Sequence, residues 1–165
     1  MHMIREDLIR RVRFDRRLLL VLLLPALLIA SCERDTRVSM DGKVPPTFAM
    51  TGSGEIVFFV VTEISPANQA LAPAQRDSRK DAVLWQISPD NLPSNGRAIN
   101  RLPRITYGVV PQGFAQKKPE TGSPPALVEG KVYEAGGPAV NAHGGFLWFT
   151  IRDGKSVQIQ EPSGR

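Results

Sequence analysis

From residue 38 onward, the apolar residues of this 165-residue chain come in short runs that are separated by turn-forming residues. No segment after residue 32 keeps a helical spacing of apolar residues over ten positions. Short runs bounded by Gly, Pro, Asn and Asp are typical of strands in all-β domains. The sequence therefore predicts an all-β domain at residues 38–165, a small two-sheet β-sandwich.

Eight segments are predicted to be strands, and three stretches between them are predicted to be loops. The strands are 38–41, 47–51, 55–64, 82–87, 104–110, 130–134, 146–152 and 155–160, and the loops are 65–81, 88–103 and 111–125. Residues 56–61 are apolar throughout, which makes them the best candidate for a central strand. In the last strand, alternation predicts that Val157 and Ile159 face the core while Ser156 and Gln158 face water.

Two glycine-containing turns are predicted to join neighbouring strands as hairpins. The first is Gly52-Ser53-Gly54, between the second and third predicted strands. The second is Asp153-Gly154, a stronger signal because both residues tolerate the positive φ of a type I′ turn.

The N-terminal segment has a different composition from the rest of the chain. Residues 1–31 contain six basic and three acidic residues, and Arg16-Arg17 is followed by thirteen uncharged residues, Leu18 to Ala30. This run is shorter than the roughly 20 apolar residues that a membrane-spanning helix needs. It matches the apolar core of a secretory signal peptide, and the basic segment before it matches the positively charged start. We therefore expect residues 1–31 to be a helical signal peptide that is cleaved from the mature protein.

The end of this run, Leu28-Ile29-Ala30-Ser31-Cys32, resembles the lipobox of bacterial lipoproteins. The resemblance implies cleavage between Ser31 and Cys32, a diacylglyceryl group on the Cys32 thiol and usually a third acyl chain such as palmitate. Two or three acyl chains anchor a protein stably on a membrane. The implied partner is membrane lipid, and the implied location is the cell envelope outside the cytoplasm. Residues 32–37 would be a polar tether. Because Glu33 is not aspartate, the resemblance favours the outer membrane of a Gram-negative cell. The alternative is a cytosolic or single-pass protein whose only cysteine happens to follow an apolar run.

Leu127-x-x-Gly130-x-x-Tyr133 looks like the tyrosine corner of fibronectin type III and related immunoglobulin-like domains. In that motif the tyrosine hydroxyl bonds to backbone a few residues upstream. The resemblance covers about residues 38–152 and implies an immunoglobulin-like sandwich. Two departures stand out, the extra strand after Asp153-Gly154 and the insertion at 65–81. Another small β-sandwich or barrel is the alternative.

The residues offer little of the chemistry that catalysis, metal binding or nucleic-acid binding requires. Beyond residue 31 there are 15 basic and 13 acidic residues, so no basic surface is predicted and we expect no nucleic-acid partner. Cys32 would be consumed by lipid, and His143 is expected to be a solvent-facing turn residue. Asp77 and Asp81 lie in a mixed charge run that is expected to be solvated surface, a poor calcium site. We predict no catalytic, metal or cofactor-binding residues.

Three functions remain open for the domain. The first is a non-catalytic binding or structural role toward an envelope protein or polysaccharide. The second is carbohydrate binding through exposed aromatic rings, although Phe59, Trp85 and Trp148 are all expected to be in the core. The third is a hydrolase with carboxylates gathered from separate loops. Two coplanar exposed rings would favour carbohydrate, a pocket with perturbed carboxylates would favour the hydrolase, and an exposed apolar patch would favour a protein partner.

Overall fold

The computed structural model describes residues 35–90 and 97–162. Its strands are β1 Thr36–Met40, β2 Thr47–Gly52, β3 Glu55–Ile56, β4 Phe59–Glu63, β5 Ala82–Pro89, β6 Arg97–Ala98, β7 Ile105–Thr106, β8 Phe114–Lys118, β9 Val132–Gly137, β10 Ala139–Val140, β11 Gly145–Arg152 and β12 Lys155–Ile159. The helical elements are the short helix α1, Pro66–Gln69, and 3-10 turns at Pro73–Gln75, Ser78–Lys80 and Ile99–Arg101. The predicted all-β class is confirmed, and the expected signal peptide at 1–31 lies outside the described residues.

The strands form three antiparallel sheets. The large sheet has the order β12-β11-β9-β4-β5-β8, the small sheet has the order β1-β2-β7, and a third sheet consists of the two-residue strands β10-β3-β6. Aromatic rings join the large and small sheets, since the ring centroid of Phe48 on β2 lies 5.3 Å from that of Phe59 and 5.7 Å from that of Phe149. The fold is therefore a β-sandwich, as predicted, with a short third sheet in addition.

One end of the sandwich contains the start of β1, and we call it the N-terminal pole. Thr36 is paired with Gly52 across the small sheet, and Gly145 is paired with Gly137 across the large sheet. The two sheets meet here, because a Cβ on Gly145 would lie only 2.7 Å from the carbonyl oxygen of Thr36.

The opposite end is called the distal pole. The pairs at this end are Thr47 with Thr106 in the small sheet and Arg152 with Lys155 in the large sheet. The backbone N–H of Ser156 donates to the carbonyl of Gly42 at 3.3 Å and so links the two sheets. Because β1 runs from one pole to the other, the distal pole is the end farthest from the N-terminus of the domain.

The predicted strand 55–64 is in fact two strands, and the predicted hairpin at Gly52-Ser53-Gly54 is wrong. β3 belongs to the third sheet, whereas β4 is a central strand of the large sheet between β9 and β5. The glycine turn connects β2 to β3, which lie in different sheets and do not pair. Gly52 and Gly54 have φ of 116° and 96°, a conformation that lets the chain change sheets without a side-chain clash.

Two further strand predictions need correction. β8 lies inside the predicted loop 111–125. It pairs with β5, and its first residue, Phe114, lies opposite Pro89. On β12 the predicted inward face is reversed, because Val157 lies opposite Thr150 and Ile159 opposite Trp148. Those partners point to the outer face of the large sheet, and Ser156 is buried on the inner side. The predicted hairpin at Asp153-Gly154 is confirmed, with φ of 52° and 67°.

Tyr133 adopts the hydrogen bonding expected of a tyrosine corner. Its ring is fully buried, and its hydroxyl accepts from the Val128 backbone N–H at 2.7 Å and donates to the Val128 carbonyl at 3.3 Å. Leu127 packs against the core, and Gly130 has a φ of 75°. Burial raises the pKa of the Tyr133 phenol, so the hydroxyl remains protonated near neutral pH. The Leu127-x-x-Gly130-x-x-Tyr133 motif thus forms the hydrogen-bonded corner that the sequence predicts.

The insertion between β4 and β5, predicted as loop 65–81, contains only helical turns of three or four residues. Hydrogen bonds between side chains and backbone hold it in place. Buried Asn68 donates to the Asp77 carbonyl at 2.8 Å and accepts from the Asp77 N–H at 3.1 Å. The Asp81 carboxylate accepts from the Ser65 N–H at 2.8 Å. The prediction that this segment is merely a solvated charge run is therefore wrong for Asp81, whose carboxylate holds the loop together, whereas the Asp77 carboxylate is paired with exposed Arg79.

Candidate functional site

The predicted lipid attachment residue Cys32, the cleavage residue Ser31 and the sorting residue Glu33 lie outside the described part of the chain. The structure does limit the predicted tether at 32–37. β1 begins at Thr36, whose hydroxyl donates to the Ser53 carbonyl at 3.1 Å, and its residue Arg37 pairs with Thr51. Thr36 and Arg37, which were predicted to belong to the tether, are therefore part of the small sheet, where both pair with β2.

A cleft lies on the outer face of the large sheet, near the point where β12 ends and separates from β11. Its volume is about 520 Å³, and its lining residues are Glu134, Phe146, Leu147, Trp148, Gln158, Ile159, Gln160 and Glu161. We call it the glutamate cleft. Glu134 and Trp148 are directly opposite each other on β9 and β11. Phe146 lies opposite Gly136, and its ring occupies the space that a side chain at Gly136 would fill. The Phe146 side chain is 45% exposed.

Arg76, from the insertion, contacts two of the residues that line this cleft. Its guanidinium carbon lies 4.6 Å from the centroid of the Trp148 ring, and its Nη1 donates to Glu161 Oε1 at 2.8 Å. Nε donates to the carbonyls of Asn68 at 3.2 Å and Leu71 at 3.3 Å, and Nη2 donates to the Pro162 carbonyl. These bonds fix the chain after β12 against the sheet and leave Trp148 only 7% exposed. Arg76 belongs to the same mixed charge run as Asp77 and Asp81, and the expectation of solvated surface is wrong for it, since its side chain is only 11% exposed.

Glu134 is the electrostatically unusual residue of the cleft. Burial raises the pKa of its carboxyl, the negative charge of Glu161 raises it further, and Arg76 offsets part of the increase. Glu161 differs from it, since its carboxylate is ion-paired with Arg76. Among residues 35–90 and 97–162, the Glu161 carboxylate thus has an ion-pair partner and the Glu134 carboxyl has none.

A second cleft lies at the distal pole and is mainly apolar. It has a volume of about 280 Å³ and is lined by Val44, Pro45, Tyr107, Gly108, Ser123, Pro124, Pro125, Ala126 and Leu127. We call it the proline cleft. The Tyr107 hydroxyl donates to the Pro125 carbonyl at 2.8 Å, which fixes the loop after β8. Burial raises the pKa of the Tyr107 phenol, so this donor keeps its proton.

Four exposed valines either line the proline cleft or lie within two positions of one of its lining residues in sequence. Val44 lines it and is 45% exposed, Val128 follows the lining residue Leu127 and is 48% exposed, and Val109 follows Gly108 and is 58% exposed. Val110, the next residue, is 40% exposed. The only other large apolar residues exposed in the described chain are Val83 and Phe146. Apolar surface gathered in one region marks a contact site more often than scattered apolar residues do.

The other predicted site features can be placed briefly. Phe59 and Trp85 are fully buried in the core, as expected, whereas Trp148 is 7% exposed and lies on the outer face of the large sheet beneath Arg76. His143 is exposed and forms an isolated bridge with Asp35. Within residues 35–90 and 97–162, no three His, Cys, Asp or Glu side chains are grouped so that they could bind a metal ion. No helix in these ranges is long and apolar enough to cross a membrane.

No protein-family model, curated protein or solved structure matches this chain. The sequence motifs and the two clefts are therefore the features that indicate a function. Sequence reasoning missed Glu134 and Arg76. Glu134 could have been noticed, because an inward Tyr133 places its neighbour on the outer face. Arg76 could not, because it acts on Glu161, 85 positions away.

Proposed function

We propose that this protein is a bacterial envelope lipoprotein, anchored by acyl chains on Cys32, whose β-sandwich is a non-catalytic module that binds a protein partner through the proline cleft. The lipobox-like segment Leu28–Cys32 supports the anchoring, and it follows an apolar run of signal-peptide length. The outer membrane is favoured by Glu33. The observation that supports the binding role is the gathering of exposed valines at the distal pole.

The short connection from Cys32 to the domain implies how the domain is presented. Two residues, Glu33 and Arg34, separate Cys32 from Asp35, so these two Cα atoms are at most about 11 Å apart when the chain is extended. β1 begins directly afterwards at Thr36. The N-terminal pole is then held close to the lipid surface, and the distal pole with its proline cleft points away from it.

This arrangement selects the occupant of the proline cleft. Copies anchored in one membrane would all direct this cleft away from that membrane, so two such copies could not join through it. Lipid lies on the other side of the domain. The remaining occupant is a different protein that inserts a large apolar side chain between the walls at Pro45 and Pro124-Pro125. Anchor residues of this kind, buried in small preformed pockets, supply much of the affinity of protein interfaces.

We also propose that the domain is an immunoglobulin-like sandwich of the fibronectin type III kind. The small-sheet order β1-β2-β7 and the large-sheet segment β11-β9-β4-β5 support this assignment, together with the hydrogen bonds of Tyr133 at the start of β9. β8 and β12 are additional edge strands. The buried Trp85 on β5 completes a core that needs no disulfide.

Neither alternative function gains comparable support. Among the described residues, Phe146 is the one large aromatic side chain that is exposed, so a platform of two coplanar rings for a sugar is absent there. A hydrolase with two carboxylates needs one to act as acid and the other as base or nucleophile. In the glutamate cleft, Glu161 is already paired with Arg76.

Two experiments test the two halves of this proposal. For the anchor, Cys32→Ala should leave an uncleaved precursor that incorporates no labelled palmitate. Normal cleavage and labelling of this variant would contradict the lipoprotein assignment.

For the partner, a photo-crosslinking residue at position 44 of the anchored protein should give a protein adduct in membranes of the source cells. Val109→Asp should abolish the adduct, because it places a charge beside the proline cleft. Val83→Asp is the matched control, since it makes the same change at an exposed valine of β5 that lines neither cleft, and it should leave the adduct unchanged. An adduct to lipid or to a second copy of the chain, or equal loss in both variants, would contradict the proposal.

A further inference from the structure

We propose that the glutamate cleft is a second binding site, specific for an aliphatic ammonium group such as a lysine side chain or a polyamine presents. The inference does not depend on the lipid anchor or on the proline cleft. It depends on the charge balance of the cleft, on the side chains that line it and on the space available.

The charge balance leaves Glu134 without a partner. In the described ranges, no hydrogen bond or ion pair is made by its carboxyl group, although the residue is only partly exposed. Arg76 is the nearby cation, but three of its five N–H groups already donate elsewhere, to Glu161 and to the carbonyls of Asn68, Leu71 and Pro162, and no hydrogen bond joins it to Glu134 in the described part of the chain. A partly buried carboxylate is stabilised strongly by an incoming opposite charge, because little water competes for it.

The walls of the cleft suit a cation carried on a hydrocarbon chain. Phe146 offers a ring that is 45% exposed, and Ile159 lies opposite Trp148 on the neighbouring strand. Aromatic faces attract ammonium groups, and apolar walls contact the methylene stem. The cleft already contains one such contact, because the guanidinium of Arg76 stacks on Trp148 at 4.6 Å. Its volume of about 520 Å³ leaves room for a second cation with its stem.

Other ligand classes fit less well. A divalent metal ion would need further ligands beyond Glu134, and no suitable group of three is present among residues 35–90 and 97–162. An anion would be repelled by Glu134 and Glu161. A neutral sugar would satisfy hydrogen bonds but would leave the charge of Glu134 uncompensated. An ammonium group can both compensate the charge of Glu134 and contact the face of the Phe146 ring.

The test is calorimetric titration of the full chain in detergent, with 1,5-diaminopentane and with a short lysine-containing peptide as probes, and with cellobiose as a neutral comparison. Wild-type protein should bind at least one cationic probe at pH 7.5 and should not bind cellobiose. Glu134→Gln should weaken cation binding at least about tenfold. Phe146→Leu should weaken it about two- to fivefold, because it keeps apolar contact but removes the ring face. Glu120→Gln, which changes an exposed glutamate outside the cleft, is the matched control and should bind like wild type.

The pH profile provides an independent readout. Only ionised Glu134 attracts the cation, and its pKa is raised, so affinity should fall as the pH drops through that raised value. The facing charges that set this value are Glu161, Arg76 and Asp81. In Glu134→Gln the profile should be flat over the same range.

Preference for the peptide over the diamine would identify a lysine side chain as the source, and the reverse would identify a polyamine. Cellobiose binding without cation binding, equal affinity in Glu134→Gln and wild type, or no binding of either cationic probe at millimolar concentration would overturn the proposal.

Discussion

Removing the hydroxyl group of Tyr133 should destabilise the domain more than removing the equivalent group of Tyr107. The Tyr133 hydroxyl accepts a hydrogen bond from the Val128 N–H at 2.7 Å, and its ring is fully buried. Tyr133→Phe leaves that N–H without its partner, which typically costs about 1–3 kcal/mol of unfolding free energy. Tyr133→Ala also removes the ring that packs 5.2 Å from Phe149, and it should cost about 3–5 kcal/mol.

Tyr107→Phe is the matched control. The Tyr107 hydroxyl makes one hydrogen bond, to the carbonyl of Pro125, whereas the Tyr133 hydroxyl both accepts from and donates to Val128, so less is lost with the Tyr107 hydroxyl. We expect a cost below about 1 kcal/mol, at the low end for a hydrogen bond.

Urea denaturation of the soluble domain, residues 35–165, measures these differences. With a denaturant dependence of about 1–3 kcal/mol per molar urea, a loss of about 2 kcal/mol lowers the midpoint by roughly 1 M. Equal midpoints for Tyr133→Phe and Tyr107→Phe, or a nearly neutral Tyr133→Ala, would show that the tyrosine corner does not stabilise the fold.

Three further predictions concern the rest of the domain. Arg76→Met should lower the free energy of unfolding by about 1–3 kcal/mol, because buried carbonyls lose their donors, and it should shift Trp148 fluorescence to the red. Glu134→Gln should raise stability at pH 7.5 but not at pH 3.5. Because the pKa of the Glu134 carboxyl is raised in the folded state, its protonated form stabilises the fold fully below the unfolded-state pKa. This stabilisation is lost as the pH rises through the folded-state pKa. Urea midpoints at both pH values measure the difference. Residues 35–165 should fold alone with the circular dichroism of β-sheet, and residues 38–165 should be less stable, since they lack the first two residues of β1.

The parts of the fold that sequence predicts well are those fixed by neighbouring residues. Asp153-Gly154 specifies its hairpin because both residues take positive φ with little cost. Leu127, Gly130 and Tyr133 specify a local hydrogen-bonded corner within seven positions. Burial of Trp85 follows from apolar alternation in β5.

The parts that sequence predicts poorly depend on which strands become neighbours. Residues 55–64 look like one apolar strand, yet β3 and β4 pair with different sheets, which no local pattern encodes. Val157 and Ile159 face outward because of their register with Thr150 and Trp148. A shift of one residue in register reverses every side chain, so an alternating edge strand allows both directions.

The candidate sites show the same division. The lipobox-like segment is contiguous and can be read from the chain directly. The glutamate cleft joins Arg76, Glu134 and Glu161, which lie far apart in sequence and come together only after the sheet has formed. The proline cleft likewise combines the Pro45 segment with the Pro124-Pro125 segment.

The most direct test of the lipoprotein assignment is mass spectrometry of the N-terminal peptide of the mature protein, purified from membranes of the source cells. We expect the first residue to be Cys32 with a diacylglyceryl group on its sulfur, with or without an amide-linked third chain. No peptide from residues 1–31 should be present. A mature protein that retains residues before Cys32, or one in which Cys32 has a free thiol, would contradict it.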